Sequence, residues 1–137
     1  MKIIISYDTT KIRQLHINRG AYIMLVVRKV NVKDSKVIFD WRNDDLTQKM
    51  FRNSELAEYE GHCKWLTTTL KNANCCLLMC ELKEGKPIAV VRFDIEGQSA
   101  EVSLNLSPLE RRKGLAPKCL TLAIDYFEKQ YPSISKL

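Results

Sequence analysis

The chain has 137 residues, 45% hydrophobic and 28% charged, which suits one globular domain with a real core. No apolar run approaches the roughly 18 residues that span a membrane, and Met1-Lys-Ile-Ile-Ile-Ser is too short an apolar run for a signal peptide and lacks a small-residue cleavage site, so a cytoplasmic location without a membrane partner is expected. The net charge of +6 favours anionic partners: a phosphorylated cofactor, a nucleotide, an acidic lipid surface or nucleic acid.

Residues 1–24 read as an N-terminal extension, with a strand at Met1–Tyr7, a short helix at Thr9–Ile17 and a turn at Asn18-Arg19-Gly20. Met24 is a candidate alternative start, and a remnant of a fused upstream domain is the other reading of this segment. Residues 25–137 form the main domain. Leu25–Val30 is predicted as a strand and Asp34–Asn43 as a helix with Val37, Ile38 and Trp41 on one face. Leu46–Phe51 is ambiguous. Ser54 is a plausible N-cap, with Glu55 and Glu58 in the first turn, where negative charge is favourable. Leu56, Tyr59, Cys63, Leu66 and Leu70 then step by three and four, which predicts a second helix with one apolar face.

Asn72 and Asn74 bracket a turn, and the near-continuous apolar run Cys75–Leu82 predicts a central strand buried on both faces. Glu84-Gly85-Lys86 makes a hairpin turn into a strand at Pro87–Ile95, and Glu96-Gly97-Gln98 turns again. Glu101–Leu106 closes this meander, with Glu101, Ser103 and Asn105 facing one way and Val102, Leu104 and Leu106 the other. Strand, two helices, three antiparallel strands and a last helix imply an α/β layered domain. The five cysteines, Cys63, Cys75, Cys76, Cys80 and Cys119, include no CxxC pair and share the chain with only two histidines. They read as reduced, mostly buried thiols, and no metal site is expected.

The segment Val102-Ser-Leu-Asn-Leu-Ser-Pro-Leu-Glu-Arg111-Arg-Lys-Gly114-Leu-Ala116 carries the functional signal. Pro108 ends the strand because it cannot donate to a ladder, and Pro117 fits the first turn of a helix, where its missing N–H costs little. Ala116, Cys119, Leu120, Ala123, Ile124 and Phe127 then recur at helical spacing. A glycine turn opening a helix aims free N–H groups, and the positive end of the helix dipole, at one point. That arrangement suits a phosphate or pyrophosphate; the plainer alternative is a strand–turn–helix connection with surface arginines.

The element order, together with Arg111, Gly114 and Ala116 in the pattern Arg/Gln-x-x-Gly-x-Gly/Ala, resembles the GNAT N-acetyltransferase superfamily over about residues 25–137. The resemblance implies a mixed, mostly antiparallel sheet flanked by helices (α/β, or α+β) and acetyl-CoA as co-substrate. Trp41-Arg42-Asn43-Asp44, the Trp65 helix, Val91-Arg92-Phe93-Asp94 and the Glu101-Val-Ser-Leu run look more narrowly like the acetyltransferases of bacterial nonulosonic-acid synthesis, whose implied acceptor is a nucleotide-linked amino sugar. Protein N-terminal acetyltransferases share related features. Family members commonly carry Gly where Arg112 stands.

The resemblance implies roles residue by residue. The N–H groups of Arg112, Lys113, Gly114, Leu115 and Ala116 would take the pyrophosphate, with charge from Arg111, Arg112 and Lys113. The pantetheine arm would run along Leu104, Asn105 and Leu106, and the Leu106 N–H is the candidate oxyanion donor. Glu101 is the leading candidate base, direct or through water, and Asp94 its competitor; as plain structure, Glu101 is a solvent-facing carboxylate and Asp94 a salt bridge to Arg92. Arg42 and Asn43 would border the acceptor, unless Trp41 is simply core and Asn43 a helix-end cap. His62 and Trp65 read as packing or surface, and Cys119 as helix core.

Family domains continue after this helix with a fifth strand, a helix carrying a tyrosine acid and two more strands, whereas Tyr131-Pro-Ser-Ile-Ser-Lys-Leu137 stands where that fifth strand should begin. The domain therefore reads as incomplete at its C-terminus. Its edge at Glu101–Leu106 would invite a homodimer or strand exchange, with Met1–Tyr7 as a possible substitute strand. A CoA-binding or interaction module without turnover is the second reading. Nucleic-acid binding is the third, and the strands lack the interleaved aromatic and basic residues that stack bases.

Overall fold

The structure, a computed structural model, describes residues 2–5, 24–43 and 59–134, the first of these as backbone alone. The expected helix Thr9–Ile17, the turn at Asn18–Gly20, the ambiguous Leu46–Phe51, and the N-terminal end of the second helix with Ser54 and Leu56 lie outside the described residues.

The elements in chain order are β1 (Lys2–Ile5), β2 (Leu25–Lys29), α1 (Ser35–Arg42), α2 (Tyr59–Lys71), β3 (Cys75–Leu82), β4 (Pro87–Glu96), β5 (Ser99–Leu106) and α3 (Leu115–Gln130). Short 3-10 turns at Val32–Asp34 and Pro108–Glu110 lead into α1 and follow β5. The strands form one sheet in the order β1-β5-β4-β3-β2, with every neighbouring pair antiparallel. The main domain thus has the mixed α/β architecture expected of it. The sequence β3-β4-β5 is the predicted meander, and its turns hold Gly85 and Gly97 at φ 100° and 62°, where a Cβ would be strained.

The alternation of side chains divides the core in two. Cys76, Leu78, Val91, Phe93, Val102 and Leu104 face α3, whose Cys119, Leu120, Ala123, Ile124 and Phe127 complete that side. Phe93 and Phe127 stack 4.1 Å apart at 9°. On the opposite face Cys75, Leu77, Met79 and Val90 meet Ile38 and Trp41 of α1 and Leu66 of α2. The predicted α1 face therefore holds, and Trp41 is core. On α2 the expected stripe is modified: Tyr59 is exposed, while His62 and Thr69 are buried. An apolar count misses them because one is an amphipathic ring and the other a small hydroxyl.

The turn before α1 is pinned by charge. Arg28 donates from Nη1 and Nη2 to the two Asp34 oxygens, 2.8 Å each, and from Nε to Glu81 at 3.2 Å. Asp34 also accepts from the Asn31 N–H at 2.9 Å, while Asn31 Oδ1 accepts from the Lys33 N–H. Burial pushes the Asp34 carboxyl up, but Arg28 and the Asn31 amide outweigh it and hold it below the ordinary range.

The β5 edge expected to be open is covered in part by the N-terminal segment of the same chain. Lys2 lies opposite Asn105, Ile3 opposite Leu104, Ile4 opposite Ser103 and Ile5 opposite Val102. Four of the five cysteines are buried and Cys63 is half-buried; all are free thiols. The hydrogen bond with the Cys80 thiol and then burial push the Cys119 thiol far up, and its place in the core, fully buried against the sheet, is that of a packing residue.

Candidate functional site

The glycine turn lies at the end of β5, where Pro108 starts a 3-10 turn and Gly114 serves as the N-cap of α3. Gly114 is left-handed, at φ 71°, and the space its Cβ would enter is open. Gly114 has no side chain with which to cap α3, so the N–H groups of the first turn need another acceptor, apart from Pro117, which has none. Arg112 is also left-handed, at φ 65°. This accounts for the family's preference for Gly at that position, since a Cβ costs energy there.

Part of the charge around the turn is paired. Glu110 is buried, with Oε1 2.8 Å from the Lys86 ammonium and Oε2 3.1 Å from that of Lys113. Hydrogen bonds from Lys86 and Lys113 hold its carboxyl below the ordinary range. Lys113 therefore shares its charge with Glu110, while its exposed ammonium keeps donors for a further acceptor. Arg111 is half-buried and Arg112 exposed. Leu115 is buried and anchors α3, so only its backbone faces the turn, and Ala116 is half-buried.

Leu104 and Leu106 also turn their side chains into the core, leaving backbone groups alone for a ligand. The Ser107 N–H donates to Ile88 O at 2.7 Å, toward β4. Antiparallel bonding alternates, so the Leu106 N–H points to the opposite edge, away from β4. Leu106 stands one position beyond the stretch that β1 pairs.

On the α1/α2 face a cavity of about 180 Å³ is lined by Arg42, Trp65, Arg92, Ser103 and Asn105, with Leu77 and Val90 among its apolar residues. The guanidinium carbons of Arg42 and Arg92 lie 5.0 and 5.9 Å from the centroid of the same Trp65 ring. Arg42 Nη1 donates to Nδ1 of the buried His62 at 3.2 Å. An arginine can only donate, so Nδ1 is the unprotonated nitrogen. Burial and then Arg42 lower the His62 pKa, so the imidazole is neutral. Asn43 does not line the cavity; its N–H closes α1 onto Phe39 O at 3.1 Å, which is the capping alternative.

Asp94 and Glu101 stand directly opposite each other on β4 and β5, on the cavity's face of the sheet. Asp94 is half-buried and accepts from Arg92 Nε at 2.9 and 3.1 Å, while Glu101 is exposed. Glu101 precedes Leu106 by five residues, about 17 Å of extended strand, so neither carboxylate touches the Leu106 N–H directly. In the sequence Arg92 has no site role beyond a partner for Asp94 and a place in the Val91-Arg92-Phe93-Asp94 likeness, and Trp65 and His62 read as packing or surface. The available signal was the alternation Val90-Arg92-Asp94, which sets Arg92 among apolar neighbours on the α1/α2 face.

Among the described residues no group of three or more His, Cys, Asp or Glu side chains could hold a metal, and no helix is long and apolar enough to cross a membrane. Residues 36–137 match the family described as the acetyltransferase (GNAT) family. No curated protein matches the chain. Among solved structures, spermidine N-acetyltransferase from Vibrio cholerae in complex with CoA and spermine superposes with a TM-score of 0.66 at 18% identity, covering 75% of this chain and 63% of that one. A domain from Methanocaldococcus jannaschii gives 0.66 at 15% identity, with 80% and 73% covered. An uncharacterised protein from Bacillus halodurans gives 0.64 at 20%, with 79% and 61% covered. At these identities the likeness is one of fold. The chain spans less than two thirds of the Vibrio protein, and these three neighbours lend no support to the narrower likeness to sugar-pathway acetyltransferases.

Proposed function

This chain belongs to the acetyltransferase (GNAT) family, and on that premise we propose that it moves an acetyl group from acetyl-CoA to a primary amine. The observation that carries the reading is the start of α3. A left-handed Gly114 with open space on its Cβ side precedes helix N–H groups that it has no side chain to cap. Those N–H groups fit a pyrophosphate, and Arg111 and Arg112 supply charge beside them. When bound, acetyl-CoA supplies an acetyl group activated as a thioester.

The chain's own residues then have separable tasks. The Leu106 N–H, directed away from β4, meets negative charge developing on a carbonyl oxygen at that edge. The amine must be neutral to attack, and Glu101, or Asp94 in its place, accepts its proton through a chain of several waters along the face of β5. Arg42 borders the acceptor. The acceptor we favour is a nucleotide-linked amino sugar; the exposed N-terminal amine of a protein is the alternative. A second reading, CoA binding without turnover, is favoured by β1 pairing with Leu104 and Asn105, two of the three residues along which the pantetheine arm would run. That pairing would keep the thioester from its place while leaving the pyrophosphate turn open.

Release of CoA thiol from acetyl-CoA tests the proposal, with an amino-sugar nucleotide, a basic N-terminal peptide and spermidine as acceptors. Release that depends on one of these amines supports transfer. CoA binding without release in any arm supports the second reading.

A further inference from the structure

Two layers of the fold send a guanidinium into one cavity, Arg42 from the end of α1 and Arg92 from the middle of β4. Both lie near the half-buried Trp65 ring, 5.0 and 5.9 Å from its centroid. Burial and then the neighbouring Arg92 charge work against the charge on Arg42. Among the described residues that line the cavity there is no carboxylate. Asp94, the nearest acid on β4, takes Arg92 at Nε, and Glu101 stands opposite Asp94, two residues before Ser103 on the same face of the sheet but outside the cavity lining. His62, on the α2 side, is neutral. Two like charges in a partly buried site raise its affinity for an anion that meets both.

We propose that this cavity is an anion subsite for the acceptor, so that the amine acetylated here carries a phosphate or carboxylate clamped by Arg42 and Arg92. The inference rests on the acetyl-transfer reading and adds the charge class of its acceptor. The guanidinium fork suits either group through paired N–H donors, and Ser103 and Asn105 add polar contacts. A cavity of about 180 Å³ is smaller than the roughly 300–1,000 Å³ that enclose a whole drug-sized ligand, so it takes the anionic end of the acceptor. A polyamine would bring its positive charges against two arginines, which sets this chain apart from the spermidine enzymes whose fold it shares.

The test uses the full chain, with and without CoA, and reads Trp emission, since Trp65 lines the cavity and Trp41 is buried. Four amines are titrated: glucosamine 6-phosphate, muramic acid, glucosamine and spermidine. The expected result is at least about tenfold tighter binding of glucosamine 6-phosphate or muramic acid than of glucosamine, with spermidine weakest. The phosphate and carboxylate arms decide which anion is taken. Arg92→Gln should reduce the preference to under about threefold while the melting temperature and CoA affinity hold. Arg42→Lys, which keeps a charge without the fork, should fall between the two. Equal binding of glucosamine and its anionic analogues, or a preference that survives Arg92→Gln, overturns the inference. Failure of CoA to bind strikes the acetyl-transfer reading instead, and the anion preference is still read in its absence.

Discussion

Arg112 and Gly114 both take the left-handed backbone conformation, φ 65° and 71°, and together they turn the chain from the 3-10 segment after β5 into α3. Only one of them is a glycine. Replacing Gly114 by Ala meets no atom within 4 Å, so its cost is conformational, about 1 kcal/mol. Arg112→Gly removes the same penalty, offset by the freedom that glycine adds to the unfolded chain. Thermal melts should show Gly114→Ala below the parent and Arg112→Gly at or above it. A Gly114→Ala protein as stable as the parent would contradict the assigned backbone.

The carboxylates of Asp34 and Glu110 should dominate acid sensitivity. Both fold with pKa values below their ordinary values of about 3.9 and 4.3, Asp34 against its burial penalty through Arg28 and Asn31, Glu110 through Lys86 and Lys113. A lowered folded pKa contributes stability above the unfolded pKa and loses it as pH falls through the folded one. Urea midpoints should therefore change little from these groups between pH 7 and 5 and drop below about pH 4. Glu110→Gln should cost about 2 kcal/mol at pH 7 and flatten the acid limb. An acid limb unchanged by that substitution would remove Glu110 from the explanation.

Glu101→Gln should leave the melting temperature within about 1 °C of the parent, because Glu101 is exposed, and lower kcat by about 10². Asp94→Asn should instead loosen Arg92, which Asp94 holds at 2.9 Å, and act mainly on acceptor KM. Equal kcat for Glu101→Gln and the parent would assign proton acceptance elsewhere.

Removal of residues 1–7 should uncover the β5 edge that Lys2–Ile5 pairs. An exposed edge offers unpaired N–H and C=O groups to another chain. Size-exclusion chromatography should show concentration-dependent self-association of the shortened protein beyond that of the full chain. Identical elution of the two would mean that β1 does not protect this edge.

Elements with one strong period were legible in the sequence. The alternation of Glu101 to Leu106 and the helical spacing of Cys119, Leu120, Ala123 and Phe127 identify their buried faces directly. The pairing of β1 with β5 was foreseeable only as an option, because a short apolar run carries no information on which edge it joins. The cavity was harder to see. Arg42 and Arg92 are far apart in sequence and meet only because α1 packs across β4, and each has a plausible local partner. The pairing of Lys113 with Glu110 was hidden for a similar reason, since nothing in Leu-Glu-Arg-Arg-Lys says that Glu110 is buried.

Calorimetric titration of the full chain with acetyl-CoA, beside Gly114→Val, tests the central claim most directly. Valine adds a β-branched side chain to the open space over the first turn of α3. The account predicts saturable binding to the parent and at least about tenfold weaker binding to the variant, the scale of one or more lost charge-assisted hydrogen bonds. No heat of binding to the parent, or equal affinity in a folded Gly114→Val protein, would contradict it.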